Sequence, residues 1–267
     1  MKNKNFNMII GLVLIQIVFT IYSSRARSQD DSSHQLTLTK GWEIQSSTKV
    51  DKFGDVISTS NFVPVNWYKT SVPATVLAVL VDNKVYPDPY FGMNLRSLPG
   101  ANYPLNSNFS NLPMSDDSPF RNSWWYRTEF QLPSDFENKA LQLHFKGINF
   151  RANIWLNGKL LADSGEVAGT FRVYEFAIND YAVYSGTNYL AVEVFAPRKD
   201  DLAITWVEWN PAPPDKNMGI WHDVVITATG PVTIRYPQVV TEFDLPSLDV
   251  AHLTISSELQ NTINQSV

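Results

Sequence analysis

Between residues 126 and 156 the chain alternates. Tyr126, Thr128, Phe130 and Leu132 fall on one side, and Arg127, Glu129 and Gln131 on the other. Leu141, Leu143 and Phe145 alternate with Gln142, His144 and Lys146. Phe150, Ala152, Ile154 and Leu156 alternate with Arg151, Asn153 and Trp155. Successive side chains of a strand point to opposite faces. A period of two with one apolar face therefore predicts half-buried antiparallel strands. Asn157-Gly158 follows directly, and both central positions of a type I′ turn need positive φ, so this pair predicts a hairpin. Segments 171–178 and 189–195 add two strands joined by Ser185-Gly186-Thr187-Asn188. Segment 221–228 adds another, closed by Gly230-Pro231. Repeated short strands of this kind restrict the chain to an all-β fold.

The rest of the chain fits around that frame. Residues 29–40 are polar and predicted to fray. Order is expected from Gly41-Trp42-Glu43-Ile44, and 61–69 has strand composition interrupted by Pro64. The single plausible helix lies at 73–81, capped by Thr75 and ending at Asp82-Asn83. At about two turns it needs packing to stabilise it. Residues 83–123 carry six prolines, at 87, 89, 99, 104, 113 and 119, and read as a long packed loop over one end of a sandwich. After Pro231 the pattern restarts at 232–236 and 250–259. One or two strands cannot bury a core alone, so 235–267 reads as the opening of a second β-domain.

Composition narrows the chemistry. Net charge is −5 with no basic run, a poor match to nucleic-acid binding. There is no cysteine, hence no disulfide, thiolate metal site or cysteine nucleophile. The four histidines, His34, His144, His222 and His252, lack metal-ligand spacing. His144 and His222 read as surface hydrogen-bonding groups. No Gly-x-Ser-x-Gly elbow is present for acyl transfer, and no Gly-rich loop precedes a helix for phosphate. No metal and no cofactor are expected.

Residues 1–28 read as an export signal. Lys2 and Lys4 begin it, residues 8–22 are apolar apart from Gln16 and Thr20, and small residues follow at Ser24, Ala26 and Ser28. The apolar run is shorter than the roughly 20 residues a spanning helix needs, so no stable membrane span is expected in the mature form. The expected location is periplasmic or secreted.

The stretch 204–225, ITWVEWNPAPPDKNMGIWHDVV, concentrates the site chemistry. Trp206, Trp209 and Trp221 flank Pro211, Pro213 and Pro214, and Glu208 and Asp215 are the acids of the stretch before His222. Proline fixes φ and lacks an N–H, so 210–215 is expected to be a stiff loop. Two readings stay open. The tryptophans plug the end of a sandwich, or they form a sugar pocket, with rings for the apolar face of a pyranose and acids and amides for its hydroxyls. Retaining glycoside hydrolysis needs two carboxylates about 5–5.5 Å apart, and spacing alone pairs none of Glu208, Asp215, Asp88, Asp116 and Asp117.

Four stretches resemble the N-terminal part of glycoside hydrolase family 2 enzymes, on the exo-β-D-glucosaminidase and mannosylglycoprotein endo-β-mannosidase branch. They are VPATVLAVLVDNKVYPDPYFGMN (72–94), SWWYRTEFQLP (123–133), FKGINFRANIWLNGKLLA (145–162) and EWNPAPPDKNMGIWHDV (208–224). The resemblance implies a galactose-binding-like jelly-roll β-sandwich over 29–234. It implies the first strands of an immunoglobulin-like sandwich over 235–267. It also implies that the catalytic glutamates belong to a (β/α)8 barrel missing from this chain, so no catalytic residue is assigned here. The implied partners are that barrel and a carbohydrate, a glycan of β-linked glucosamine or mannose. Glu208-Trp209-Asn210-Pro211 matches the family run whose acid reaches the first sugar. Glu stands where Asp is usual in the mannosidases, and Asn210 agrees with the glucosaminidase branch. Glu208, Trp209, Asn210 and Asp215 are the implied substrate-binding residues, with Asn217 a further candidate in the same loop and the loop 86–94 as the rim. Trp206 and Trp221 are expected to hold the loop from the core. Alternatives are a free-standing carbohydrate-binding module or a structural sandwich without ligand.

Overall fold

The computed structural model describes residues 34–101, 114–203 and 212–262. They form two compact units. The larger holds His34–Glu137 and Leu141–Thr227, and the smaller contains Asn138–Ala140 and the chain from Ala228.

The larger unit is an all-β sandwich with few helices. Its six-stranded sheet contains β2 (Trp42–Ser46), β3 (Tyr68–Thr70), β5 (Trp124–Gln131), β8 (Arg151–Leu156), β9 (Lys159–Ala162) and β11 (Thr187–Phe195). Their order is β3-β2-β5-β11-β8-β9. A four-stranded sheet joins β1 (Gln35–Thr37), β13 (Val224–Thr229), β6 (Ala140–Phe145) and β10 (Tyr174–Ala177) in that order. Leu141, Leu143, Phe145, Ala152, Ile154 and Leu156 are all buried, as their alternation requires. Asn157 and Gly158 have φ of 53° and 82°, and β8 and β9 pair across them. The Asn157 side chain adds to the turn by accepting the Tyr189 N–H and donating to Asn188 Oδ1 and Tyr181 O.

The six-stranded sheet is covered on both faces, where alternation predicted one face in solvent. Residues 50–67, with the one-turn helix α1 (Gly54–Ile57), fold across the second face. Ile57, Trp125 and Ala191 form a buried cluster there, with Val50, Phe62, Trp67 and Trp155 packed on it. Arg127, on the polar side of the alternation, is consequently only 3% exposed. Its guanidinium donates to the carbonyls of Ile57, Thr59 and Phe62 and pairs with Glu129 at 2.8 Å.

Other expectations need correction. Gln35–Thr37 is a strand paired with β13, and Leu38 is buried, so the chain is ordered before Gly41. Of 61–69 only Tyr68 and Lys69 lie in a strand, because this segment crosses the sheet's outer face. Segment 171–178 shortens to β10, leaving Phe171 and Val173 exposed, and β10 and β11 lie in different sheets. Segment 221–228 is broken: β12 (Gly219–Ile220) precedes Trp221, and β13 begins at Val224. The 83–123 loop is only partly packed. Phe120 is buried with Tyr86 edge-on to it, while Tyr90, Phe91 and Met93 project into solvent. The expected helix is α2 (Val76–Asp82), with the Thr75 hydroxyl accepting from the Ala78 N–H at 3.4 Å. One further turn, α3 (Asn94–Ser97), also forms.

In the smaller unit β14 (Val232–Phe243) pairs antiparallel with β15 (Ala251–Asn261). The register places Ile234 opposite Leu259, Val239 opposite Ile255 and Phe243 opposite Ala251 on one face. Arg235 opposite Glu258 and Glu242 opposite His252 lie on the other. The strand runs through Pro237 because the register shifts between Arg235 and Gln238, where a residue without an N–H costs no ladder bond. No helix among the described residues is long and apolar enough to cross a membrane.

Candidate functional site

A small third sheet builds the site. β12 lies between β4 (Ala74–Thr75) and β7 (Ile148–Asn149), antiparallel to both. β4 leads directly into α2. β12 receives the chain from the proline-rich turn.

The first N–H groups of a helix have no partner within it. In α2 they are met from the turn: Val76 N–H donates to Met218 O at 2.8 Å, and Leu77 N–H donates to Asp215 Oδ2 at 2.8 Å. Asp215 Oδ1 accepts the Asn217 N–H at 2.9 Å. Lys216 and Asn217 both have φ near +55°, at 53° and 56°, a conformation that side chains disfavour. Asn149 stabilises it, its Nδ2 donating to Lys216 O and Asn217 O, each at 2.9 Å, while its Oδ1 accepts from Thr170 Oγ1. Every hydrogen-bonding group of this fully buried amide is used. At Gly219, φ is +150° and an added Cβ would lie 2.6 Å from Ala74 O and from Tyr126 Oη. Only glycine lets the three short strands close.

Asp215 is 0% exposed. Burial raises its pKa from 3.8 to about 6, against the lowering effect of the N–H bonds from Leu77 and Asn217. The folded value lies above the unfolded one, so the folded chain holds this proton more tightly between about pH 4 and 6. Its contribution to stability is full below pH 4 and lost as pH rises through 6. The difference amounts to about 3 kcal/mol. Urea denaturation of the wild type and Asp215→Asn at pH 4.5 and 7.5 should show the wild type gaining relative stability at the lower pH. Parallel pH profiles would contradict it.

Beside the turn lies a cleft of about 500 Å³. Leu77, Ala78 and Val81 of α2 line it with Pro213 and Asn217 of the turn. The loop expected at the rim adds Asp88, Pro89 and Tyr90. That loop is braced: Asp88 Oδ1 accepts the Tyr90 N–H, and Asn94 Nδ2 donates to Asp88 O. Tyr90, 96% exposed, lines the cleft together with Asp82 and Asp88. An apolar floor, a ring and a few carboxylates suit a polyhydroxylated ligand.

Of the residues expected to meet substrate, Glu208, Trp209 and Asn210 lie outside the described residues, as does Trp206. Asp215 faces inward, its carboxylate engaged by backbone, and its neighbours Pro213 and Asn217 reach the cleft instead. Trp221 is half-buried, its ring edge-on to Phe171 and its Nε1 donating to Thr170 O. His144 bonds Thr227 Oγ1 at 2.8 Å and lies 3.3 Å from Glu175, as a hydrogen-bonding strand residue should. Sequence reasoning missed Asn149. Its signal was only a polar residue in an otherwise apolar run.

The sandwich falls in a known class: residues 108–203 carry a galactose-binding-like domain of glycosyl hydrolase family 2. Residues 108–203 match the family model described as "Glycosyl hydrolase 2 galactose-binding domain-like". The chain is similar to an exo-beta-D-glucosaminidase of Streptomyces avermitilis, 29% identical over 245 residues, covering 91% of this chain and 25% of that protein. A mannosylglycoprotein endo-beta-mannosidase of Lilium longiflorum is 29% identical over 250 residues, covering 84% and 24%. The crystal structure of Amycolatopsis orientalis exo-chitosanase in complex with PNP-beta-D-glucosamine superimposes with a TM-score of 0.71 and 30% identity, covering 85% of this chain and 24% of that one. The chain thus spans about a quarter of the length of these relatives.

Proposed function

We propose that this chain is the sugar-binding domain of an exported β-glycosidase of the exo-β-glucosaminidase or β-mannosidase type. Glu208, Trp209 and Asn210 help to shape the first sugar subsite. A (β/α)8 barrel outside these 267 residues carries out the hydrolysis. The observation that carries this reading is the likeness to the exo-chitosanase over 85% of the chain, with the proline-rich turn set beside an open cleft. The isolated chain is expected to leave aryl β-glucosaminide and aryl β-mannoside intact. Turnover that disappears in Glu208→Gln would overturn the non-catalytic assignment.

The cleft favours a second reading, that the domain also binds sugar without a barrel. Calorimetry with glucosamine and mannose oligosaccharides should show binding to the chain. Trp209→Ala should weaken it about tenfold or more, the usual effect of truncating an aromatic anchor. No heat with either sugar at millimolar concentration would rule out this second reading.

A further inference from the structure

The turn between Pro213 and Gly219 has an outer and an inner side. Outward, Pro213 and Asn217 form one wall of the cleft, and Leu77 and Ala78 of α2 form another. Inward lies Asp215, fully buried and absent from the lining. Its two oxygens divide their bonds between the walls, Oδ2 accepting the Leu77 N–H and Oδ1 the Asn217 N–H. We propose that Asp215 is a positioning residue of the cleft: it touches no ligand and ties the Pro213–Asn217 wall to the first turn of α2.

This assignment rests on the reading of the cleft as a sugar site. The ionised carboxylate offers only acceptors and meets both N–H groups, while in the neutral acid one oxygen becomes a hydroxyl that donates and accepts more weakly. A proton therefore weakens the tie to one wall. The buried acid takes that proton near pH 6, within the range a secreted protein meets. The fold as a whole is favoured by the neutral acid, while one of the cleft's two ties weakens. The ionisable groups near the carboxylate are the Tyr126 hydroxyl on β5 and Lys216 in the same turn. β4 and β7 bring Thr75, which donates to the acid, and Asn149, which bonds the Lys216 and Asn217 carbonyls. Among the described residues the acid is therefore the one group there expected to change charge between pH 5 and 8.

The test uses the whole chain, a glucosamine oligosaccharide and two readouts from pH 5 to 8. Calorimetry should show wild-type affinity falling about tenfold as pH drops through 6, the equivalent of about 1.4 kcal/mol. Asp215→Asn should bind at the weak level at every pH. Hydrogen exchange, corrected for intrinsic rates, should show one of the Leu77 and Asn217 amides losing protection over the same range in the wild type. In Asp215→Asn, whose side chain keeps one acceptor oxygen, one of the two should lack it throughout, with other strands unchanged. Equal affinity and equal pH profiles in the two proteins would overturn the proposal. If the wild type binds no sugar at any pH, the sugar reading fails, and the exchange profile alone decides the tie: present, it stands; absent, it falls.

Discussion

Gly219→Ala is expected to destabilise the larger unit by about 3–5 kcal/mol. A φ of +150° is open to glycine and costs other residues about 1–3 kcal/mol. The new Cβ would also meet Ala74 O, Thr75 Cα and Tyr126 Oη at 2.6 to 2.7 Å. Two of these atoms are backbone of β4, and the third is the end of a fully buried side chain that donates to Ala74 O. Nothing can give way cheaply, and overpacking adds about 1–3 kcal/mol. The β4–β12–β7 sheet would have to part, and with it the bonds that start α2. At about 2–4 °C per kcal/mol for a unit of this size, the melting temperature should fall by about 10 °C. A melting point within 2 or 3 °C of wild type, on the order of 1 kcal/mol, would show that the sheet accommodates a methyl group.

Arg127→Ala should cost about 1–3 kcal/mol, as leaving buried carbonyls without their donor does. Glu129 can rehydrate, since its side chain is half exposed. The carbonyls of Ile57, Thr59 and Phe62 lose their common donor, and the rings of Phe62 and Tyr189 lose the cation beside them. Arg127→Met keeps much of the stem and removes the donors, so the difference between the two variants separates packing from hydrogen bonding. Damage should concentrate in 50–67, read as early proteolysis there. If Arg127→Ala unfolds at wild-type urea concentrations, the guanidinium does not hold that segment.

The strands β5, β6, β8 and β11 and the turn at Asn157-Gly158 were legible because their signals are local. Alternation and positive-φ turn chemistry need no distant partner to be read. Thr75 as a helix cap was legible for the same reason. The second face of the six-stranded sheet was not. Arg127, Asn153 and Trp155 carry the pattern of a solvated face, and only the passage of 50–67 across it makes that face an interior. Segment 61–69 misled in the opposite direction: Phe62 and Trp67, whose rings suit a strand, instead pack as a cover, while Val63 and Val65 stay exposed.

The candidate site divides along the same line. The composition of 204–225 singled out the proline-rich turn and the resemblance singled out the loop 86–94, and Pro213, Asn217, Asp88, Pro89 and Tyr90 line one cleft. Which acid faces outward was undecidable from spacing. Asp215 and Asn217 are two positions apart, yet one ties the turn from inside and the other lines the cleft.

The sequence by itself determined an all-β sandwich, the main strands, their hairpin, the capped helix and the family. All of these follow from periodicity, turn residues and motifs carried by neighbouring positions. Only the tertiary structure decided that Asp215 is buried and Arg127 enclosed. Asp215 meets a backbone N–H 138 positions away, and Arg127 a carbonyl 70 positions away. Burial is the loss of water to partners distant in sequence, and no local pattern encodes those partners.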